Sequence, residues 1–392
     1  MDAKLCGTAI TGEYVAEYLN REFGPNVTIL DIEAEKIGVG DGFISNILRV
    51  KLKWSSENNG VPKSVIVKVP TSEHFDKLIS TLPGADGIDS SVTTDFVPRM
   101  HNMECKAYRL FEKGSPIKIP KLYASVPFGE SRPAMIIMED LSATASITPS
   151  FLVGLTRPQL VSVVTEIARL QGWCLTTKTD WRACMPSFED QAEMTKQFLA
   201  PISNGLQTAK EKYPDIFGFL DVEKLGRIME FESFSAIMNE HRNFIEDVLT
   251  HGDFHKNNIM LKKNPDGTLS DELAAIIDLQ AFVKGSPASD LARIFSFSVR
   301  PEIRKEHQEE ILRHYYATVK SIAGDKFTAS FEQVFYLYKR LLAIESLFMI
   351  SWAPVMVGVA IKGEGEQREK DEKTILGYCR DLYDSTICML EK

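Results

Sequence analysis

The sequence has no excess of basic residues, and this shortage limits the kinds of partner it can bind. Its 45 lysines and arginines are outnumbered by 54 aspartates and glutamates, which gives a formal net charge of −9. Proteins that bind nucleic acid usually carry a basic surface, so we expect no nucleic-acid partner. A polyanionic substrate would also be repelled unless a metal ion or an arginine met its charge locally.

Paired cysteines, a secretory signal and a long apolar run are also missing. None of the six cysteines forms a C-x-x-C pair or lies beside histidines at metal-ligand spacing, so we expect reduced, structural thiols. The first residues lack a basic region followed by an apolar stretch. The longest apolar stretch, residues 347–361, is interrupted by Pro354 and is too short to span a bilayer. We therefore expect a cytoplasmic protein without a membrane span, and no obligate protein partner is evident.

What is present is an ordinary globular composition with a clear order of patterns along the chain. Of the 392 residues, 44% are hydrophobic, which is ample for a sizeable core. Strand-like patterns occupy residues 27–70 and recur around residues 121–141. Between them lie an irregular, glycine-containing stretch over residues 71–100, whose fold the sequence does not indicate, and a helical pattern that begins at Val97.

The pattern changes from sheet to helix near Leu141, and we place a domain boundary there. Residues 1–140 predict a small sheet with one helix. Residues 141–392 predict a larger helical domain, interrupted by a strand hairpin over residues 257–280 with Asn-Pro-Asp-Gly as its turn.

The strongest chemical signal is a set of polar residues around that hairpin. The segment HGDFHKNN contains Asp253 and Asn258, and IIDLQ brings Asp278 to the end of the second strand. Phosphoryl transfer to a hydroxyl uses a carboxylate that accepts the proton and oxygen ligands that hold Mg²⁺ on the nucleotide phosphates. We therefore interpret Asp253 as the catalytic base and Asn258 and Asp278 as metal ligands. An isolated His-Gly-Asp can instead be a turn with a buried histidine, but three pieces at this spacing favour catalysis.

A glycine-rich segment lies between the first two strand patterns. Gly38, Gly40 and Gly42 would let backbone amides approach the phosphates of a nucleotide without an intervening side chain. The spacing differs from the G-x-G-x-x-G of protein kinases, and an ordinary glycine-rich hairpin explains it as well.

Lys68 lies in the apolar strand SVIVKVP, where an unpaired lysine would be costly. One interpretation is that it binds the α- and β-phosphates of a nucleotide, and the other is that it extends from an edge strand to solvent. Glu104, beside the apolar stripe of the next helix, can pair with Lys68, or it can be an ordinary solvated charge. The order of glycine loop, strand lysine and helix glutamate favours the functional interpretation of both.

Through HGDFHKNN and IIDLQ the chain resembles the aminoglycoside and choline phosphotransferase superfamily, and within it the ecdysteroid-kinase-like, or CHK-kinase-like, family of insects and nematodes. The resemblance extends from about residue 30 to the last helices and is strongest over residues 251–293. It implies an α+β, two-lobed, protein-kinase-like fold. The N-terminal lobe, residues 1–140, would hold an antiparallel sheet with one helix and would bind the nucleotide. The C-terminal lobe, residues 141–392, would be larger and helical and would hold the catalytic loop, the metal site and the acceptor pocket.

The resemblance also implies roles for residues that spacing alone does not assign. Members of the family often have a serine near the position of Ser45, which would join the glycine loop at the cofactor. The segment MEDL matches the superfamily's hinge, where the backbone of Glu139 and Leu141 would hydrogen-bond adenine. His255 matches a histidine of the wider superfamily and is interpreted as packing or substrate-side, and Asp290 would brace the catalytic loop.

The activity implied is an enzyme that uses ATP and Mg²⁺ to phosphorylate a hydroxyl group of a small-molecule acceptor. A lipophilic, steroid-like acceptor is one possibility, and choline, an amino sugar or a xenobiotic glycoside is another. The acceptor pocket is expected in residues 186–248, and these contain no motif that decides between them. A protein kinase fits less well, since Asp-Phe-Gly and an activation segment are missing between Gln280 and Asp290. A non-catalytic nucleotide-binding protein is a second class, although such proteins usually lose the base, a metal ligand or the strand lysine.

Overall fold

The computed structural model of the protein describes residues 1–38, 44–56, 60–73, 90–150, 152–361 and 364–390. Two parts follow one another along the chain, a sheet-containing N-terminal lobe and a mainly helical C-terminal lobe. The two-lobed α+β fold expected from the sequence is confirmed. The division into domains at residues 140 and 141 stays a prediction.

A five-stranded antiparallel sheet forms the N-terminal lobe, with the strand order β1-β2-β3-β5-β4. Its strands are β1 (Ile29–Ile37), β2 (Ser45–Trp54), β3 (Ser64–Pro70), β4 (Leu122–Val126) and β5 (Met135–Glu139). Side chains alternate along β3, so Val65, Val67 and Val69 pack into the core on one face of the sheet. Lys68 is on the opposite face, and the central position of β3 excludes the edge-strand interpretation of this lysine.

Two helices cover this sheet, where the sequence predicted one. Helix α1 (Gly12–Phe23) was missed, although Thr11 caps its first turn by accepting a hydrogen bond from the Tyr14 amide. Helix α2 (Ser90–Leu110) begins seven residues before the predicted start at Val97 and continues through Pro98. The polar sequence before Val97 hid this first part of the helix, because it carries no apolar stripe.

The C-terminal lobe combines short strands with helices. Its strands are β6 (Ala145–Ser146), β7 (Val248–Thr250), β8 (Ile259–Lys263), β9 (Leu269–Ile276) and β10 (Val283–Gly285). Its helices are α3 (Arg157–Thr176), α4 (Trp181–Cys184), α5 (Ala192–Lys212), α6 (Pro214–Phe217), α7 (Val222–Ile228), α8 (Phe231–Met238), α9 (Ser289–Phe297), α10 (Pro301–Ala323), α11 (Phe331–Ala360) and α12 (Gly365–Thr386).

Helix α11 runs through the core of the C-terminal lobe. Over Phe331–Gly358 it is long and apolar enough to cross a membrane by length and composition, which differs from the expectation that no segment would be. The apolar pattern begins well before residue 347, and Pro354 lies inside the helix instead of ending it. Since 67% of the apolar window is buried inside the protein, the helix packs as a core element.

Candidate functional site

Two loops carry the predicted catalytic and metal-binding residues, and paired strands hold the loops side by side. Strand β7 leads into the first loop, residues 251–258, and the hairpin of β8 and β9 leads into the second, residues 277–282. Strand β10 then returns to pair with β7 in antiparallel fashion, as β8 pairs with β9. Both ends of each loop are therefore fixed relative to the other loop.

Gly252 lies where the two loops approach most closely. Its φ angle is +79°, a conformation that glycine adopts without steric cost. A Cβ atom at this position would overlap the backbone carbonyl oxygen of Ala281. The glycine of the His-Gly-Asp segment is therefore required by both the backbone conformation and the contact with the second loop.

We expect Gly252→Ala to lower both the melting temperature and turnover. Any alanine at positive φ costs about 1–2 kcal/mol, and here the Cβ atom must also push the two loops apart. A displacement of this kind can cost about a hundredfold in rate, because reacting groups must be placed within an ångström. The check is thermal unfolding and steady-state kinetics of the variant.

The matched control for this variant is Gly267→Ala in the hairpin turn. Gly267 has a φ angle of +85°, and a Cβ atom there would meet nothing within 4 Å. This variant should show the conformational cost alone and keep wild-type turnover. Equal turnover in the two variants would contradict the required contact between the loops.

Asp290 and His251 tie the loops to the rest of the lobe. The buried carboxylate of Asp290 accepts hydrogen bonds from the amides of His251, at 2.8 Å, and of Gly252, at 3.1 Å. His251 Nδ1 accepts the amide of Asp253, at 3.4 Å, so its Nε2 carries the proton and donates to the carbonyl of Ile277, at 3.0 Å. The bracing geometry implied for Asp290 is thus present, and His251 links the first loop to the second.

Asp253 is the most accessible acid of the two loops, with 40% of its side chain exposed. The Nδ1 atom of His255 accepts the amide of Asn257, at 3.3 Å, so Nε2 carries the proton and points to Asp253 Oδ2, also at 3.3 Å. Burial raises the pKa of the Asp253 carboxyl, but His255 and Arg293 outweigh that effect and hold the pKa below its usual value. The carboxylate is therefore ionised at neutral pH and able to accept a hydrogen bond from a hydroxyl group.

Asn258 and Asp278 flank the contact between the loops. The Nδ2 atom of Asn258 donates to the backbone carbonyl of Asp253, at 2.8 Å, which leaves Oδ1 as the available oxygen of this side chain. The backbone carbonyl of Asn258 accepts the amide of Ile277, at 3.0 Å, and so connects it to the residue before Asp278. Asp278 has a φ angle of +65°, a strained conformation that is concentrated at functional sites.

Lys68 joins the N-terminal lobe to this second loop. Its Nζ atom lies 2.6 Å from Glu104 Oε2, contacts Asp278 Oδ1 directly, and lies 3.5 Å from Gln280 Oε1. Burial lowers the pKa of Lys68, but the carboxylates of Asp278 and Glu104 outweigh burial and raise the pKa above its usual value. The structure thus brings Lys68 and Glu104 together, and it adds Asp278 as a partner that the sequence did not predict.

The residues present fit the binding of magnesium together with a phosphate chain. No group of three or more His, Cys, Asp or Glu residues that could hold a metal by itself occurs in the described ranges. Asn258 and Asp278 supply two oxygen ligands, and Mg²⁺ is usually held by one or two carboxylates with the remaining positions taken by phosphates and water.

The predicted hinge connects β5 to the C-terminal lobe. The amide of Glu139 donates to the carbonyl of Lys121, at 2.9 Å, whereas the Leu141 amide has no acceptor among the described residues. Asp140 lies between them, and its Oδ2 atom accepts hydrogen bonds from Arg49 Nε, at 3.1 Å, and from Ser64 Oγ, at 2.7 Å. A rigid hinge with an available amide is what backbone recognition of a base requires.

The predicted glycine loop is only partly described. Gly38 follows β1 with a φ angle of +61°, and Ser45 is buried at the start of β2. Gly40 and Gly42 lie outside the described residues, so their predicted role stays a prediction.

Sequence reasoning missed one charged pair beside Asp253. Arg293 on α9 and Glu345 on α11 lie 3.1 Å apart at Nη1 and Oε2. The sequence did contain a signal, because Glu345 is the lone acid in the apolar run LLAIESLFM. A charged residue in an apolar run was also what pointed to Lys68.

The fold and these loops define a two-lobed protein of the protein-kinase-like superfamily, as expected from the sequence. The chain belongs to the DUF1679 family, whose model, described as "Uncharacterized oxidoreductase dhs-27", matches residues 4–391.

Known proteins similar to this chain carry names of two kinds. The chain is 25% identical over 349 residues to "Uncharacterized oxidoreductase dhs-27" of Caenorhabditis elegans, covering 84% of this chain but 40% of the length of that protein. It is 23% identical over 339 residues to "Uncharacterized kinase-like protein D1044.1" of the same organism, covering 79% of this chain and 85% of that protein. A solved choline/ethanolamine kinase family protein from Mesorhizobium loti aligns with 96% of this chain and 98% of its own, at 11% identity and a TM-score of 0.47.

Proposed function

We propose that the protein is an ATP- and Mg²⁺-dependent kinase that phosphorylates a hydroxyl group of a small, lipophilic acceptor such as a steroid. The observation that carries the proposal is the contact of Lys68, on the central strand of the N-terminal lobe, with Asp278 in the second loop. Phosphoryl transfer requires a phosphate-binding cation beside a metal-binding carboxylate, and this contact supports assigning those roles to Lys68 and Asp278.

Each residue has a separate task in this proposal. Lys68, held by Glu104, binds the α- and β-phosphates, while Asn258 and Asp278 would hold magnesium. A bound metal would supply positive charge against the charge that develops on the phosphates. Asp253 accepts a hydrogen bond from the acceptor hydroxyl, orients its oxygen towards the γ-phosphate and takes the proton.

Nucleotide contacts complete the proposed site. The available amide of Leu141 donates to the adenine ring, and the carbonyl of Glu139 accepts from it. Gly38 and Ser45 would lie over the phosphates, with Gly40 and Gly42 as predicted from the sequence. A crystal structure with bound nucleotide tests these contacts.

Other functions are weighed against the same residues. Choline, an amino sugar or a xenobiotic glycoside would use the same chemistry with another acceptor. A non-catalytic nucleotide-binding protein is disfavoured because Lys68, Asp253, Asn258 and Asp278 are all present. We propose no oxidoreductase activity for this chain, since all strand pairs in its described part are antiparallel, whereas dinucleotide-binding folds use a parallel sheet.

The test is transfer of labelled γ-phosphate from ATP to a panel of hydroxylated compounds, with and without Mg²⁺. The panel holds sterols, choline, amino sugars and aryl glycosides. We expect magnesium-dependent phosphorylation by the wild type, and about a hundredfold loss in Lys68→Ala because an electrostatic contact to the phosphates is removed.

Lys51→Ala is the matched control, since Lys51 is an exposed lysine of the same sheet. It should behave as wild type. Tight MgATP binding without transfer to any compound would contradict the kinase proposal. Wild-type kinetics in Lys68→Ala would remove that lysine from the site.

A further inference from the structure

Arg293 and Glu345 form a charged pair that the proposed phosphoryl transfer does not use. Arg293 lies one helical turn after Asp290 on α9, and Glu345 lies on α11, which packs against α9. Their side chains keep 22% and 12% of their surface exposed, respectively. Asp290 accepts hydrogen bonds from the amides of His251 and Gly252, so the pair one turn further along α9 lies close to the first loop.

The pair is poorly suited to a purely structural role. Burial raises the pKa of Glu345 to about 7, because the attraction of Arg293 does not compensate for the loss of water. The Nε atom of Arg293 and the Oε2 atom of Glu345 are buried without a well-formed hydrogen bond to any described residue. Buried ion pairs of this kind are often matched or exceeded in stability by apolar side chains. The carboxylate is thus kept in an apolar stretch of α11 at a cost to folding.

Aromatic rings lie next to this pair. The guanidinium of Arg293 stands 4.9 Å from the ring centre of Phe297 and 5.6 Å from that of Phe348. Phe348 in turn contacts Phe234, and Phe234 contacts Phe188, each with ring centres 6.2 Å apart. Phe188, Phe297 and Phe348 are only partly buried, so they offer apolar surface to a bound molecule.

We infer that Glu345 is a specificity-determining residue of the acceptor site, where its carboxylate accepts a hydrogen bond from a second hydroxyl of an apolar, ring-containing acceptor. The first hydroxyl of such a diol lies at Asp253 and receives the phosphate, while the ring framework packs on the phenylalanines. Arg293 holds the Glu345 carboxylate in place through its Nη1 contact. The inference rests on the proposed kinase function.

The charges near Glu345 also exclude a class of acceptor. Asp253, Asp290 and Glu345 are three acids, and Arg293 is the guanidinium next to them. A carboxylated or sulfated acceptor would bring a further negative charge among them, which low local dielectric makes costly. The acceptor therefore carries no negative charge at the end that meets Glu345.

The test compares a sterol that carries one hydroxyl with the same sterol carrying a second one, using MgATP and the full-length chain. The wild type should have a kcat/KM for the diol about tenfold or more above that for the mono-ol, the selectivity expected of a hydrogen bond to a buried charged group. Glu345→Leu should lower kcat/KM for the diol by about tenfold to a hundredfold, mainly through KM. The same variant should lower kcat/KM for the mono-ol by less, so the diol-to-mono-ol ratio falls. The KM for MgATP should stay within about twofold of wild type, because Glu345 has no part in the proposed nucleotide contacts.

Two further variants complete the experiment. Glu332→Gln, an exposed glutamate of the same helix, should match the wild type in every parameter. Glu345→Gln keeps the shape and one acceptor oxygen, so it should lose about fivefold for the diol, and it decides the question if Glu345→Leu does not fold.

The outcomes separate this inference from the proposed function. Equal diol-to-mono-ol ratios in the wild type and the Glu345 variants would overturn the inference and leave the kinase proposal intact. A preference of the wild type for anionic acceptors would also overturn the inference and leave the kinase proposal intact. Tight MgATP binding without transfer to either sterol or to any other hydroxylated compound would overturn both.

Discussion

Asp253→Asn is expected to lower kcat by about a hundredfold to ten-thousandfold, the usual contribution of a general base, and to leave MgATP binding almost unchanged. Asparagine keeps the size of the side chain but cannot take the proton of the acceptor hydroxyl. The contact between residue 253 and Asn258 remains in this variant, because the Asn258 side chain donates to the main-chain carbonyl of residue 253. Steady-state kinetics and calorimetric titration with MgATP measure the two quantities.

The matched control for this variant is Asp271→Asn, an exposed aspartate of the neighbouring hairpin. It should retain wild-type kcat and affinity. Full activity in Asp253→Asn would show that the base has been assigned to the wrong residue. Thermal unfolding of both variants separates a loss of chemistry from a loss of structure.

Asp278→Ala is expected to abolish magnesium-dependent nucleotide binding together with turnover. Magnesium is a hard cation that takes oxygen ligands, and alanine removes the charged one from the site. Metal-free ATP should bind the variant at least as tightly as it binds the wild type, since Lys68 and the hinge remain and the carboxylate that competes for Lys68 is gone. Calorimetric titration of ATP with and without Mg²⁺ distinguishes this result from that of Asp253→Asn.

Asp278→Asn controls for the unusual backbone conformation at this position. The φ angle of +65° strains alanine, whereas asparagine adopts the left-handed region more readily. The asparagine variant should therefore fold as wild type and still lose most of the magnesium-dependent affinity. Retention of full magnesium-dependent affinity in both variants would mean that Asp278 is not a metal ligand.

The local patterns of the sequence predicted most of the fold. Alternation along SVIVKVP predicted β3, and the Asn-Pro-Asp-Gly turn predicted the hairpin that places Asp278 near Asn258. Pattern reasoning failed where a helix had no apolar stripe, as in the first turns of α2. It also failed at α1, although a capping threonine precedes this helix and Gly24 follows it.

The site was predictable as far as sequence spacing fixes it. One hairpin brings Asp253, Asn258 and Asp278 close together, so short-range reasoning could group them. The contact of Lys68 with Asp278 spans 210 positions, and that of Arg293 with Glu345 joins two separate helices. No local pattern encodes such pairs, because they arise only when the lobes and helices pack.

The contact of Lys68 with Asp278 has a further consequence for how the site is filled. A phosphate that binds the Lys68 ammonium takes over the place of the Asp278 carboxylate, and the released carboxylate then needs a new cation. The two exchanges keep every buried charge paired only if they occur together, so nucleotide and metal favour each other's binding. Under the proposed function, nucleotide and metal would therefore enter as one neutralised unit, and the Lys68 ammonium holds Asp278 in position until that unit arrives.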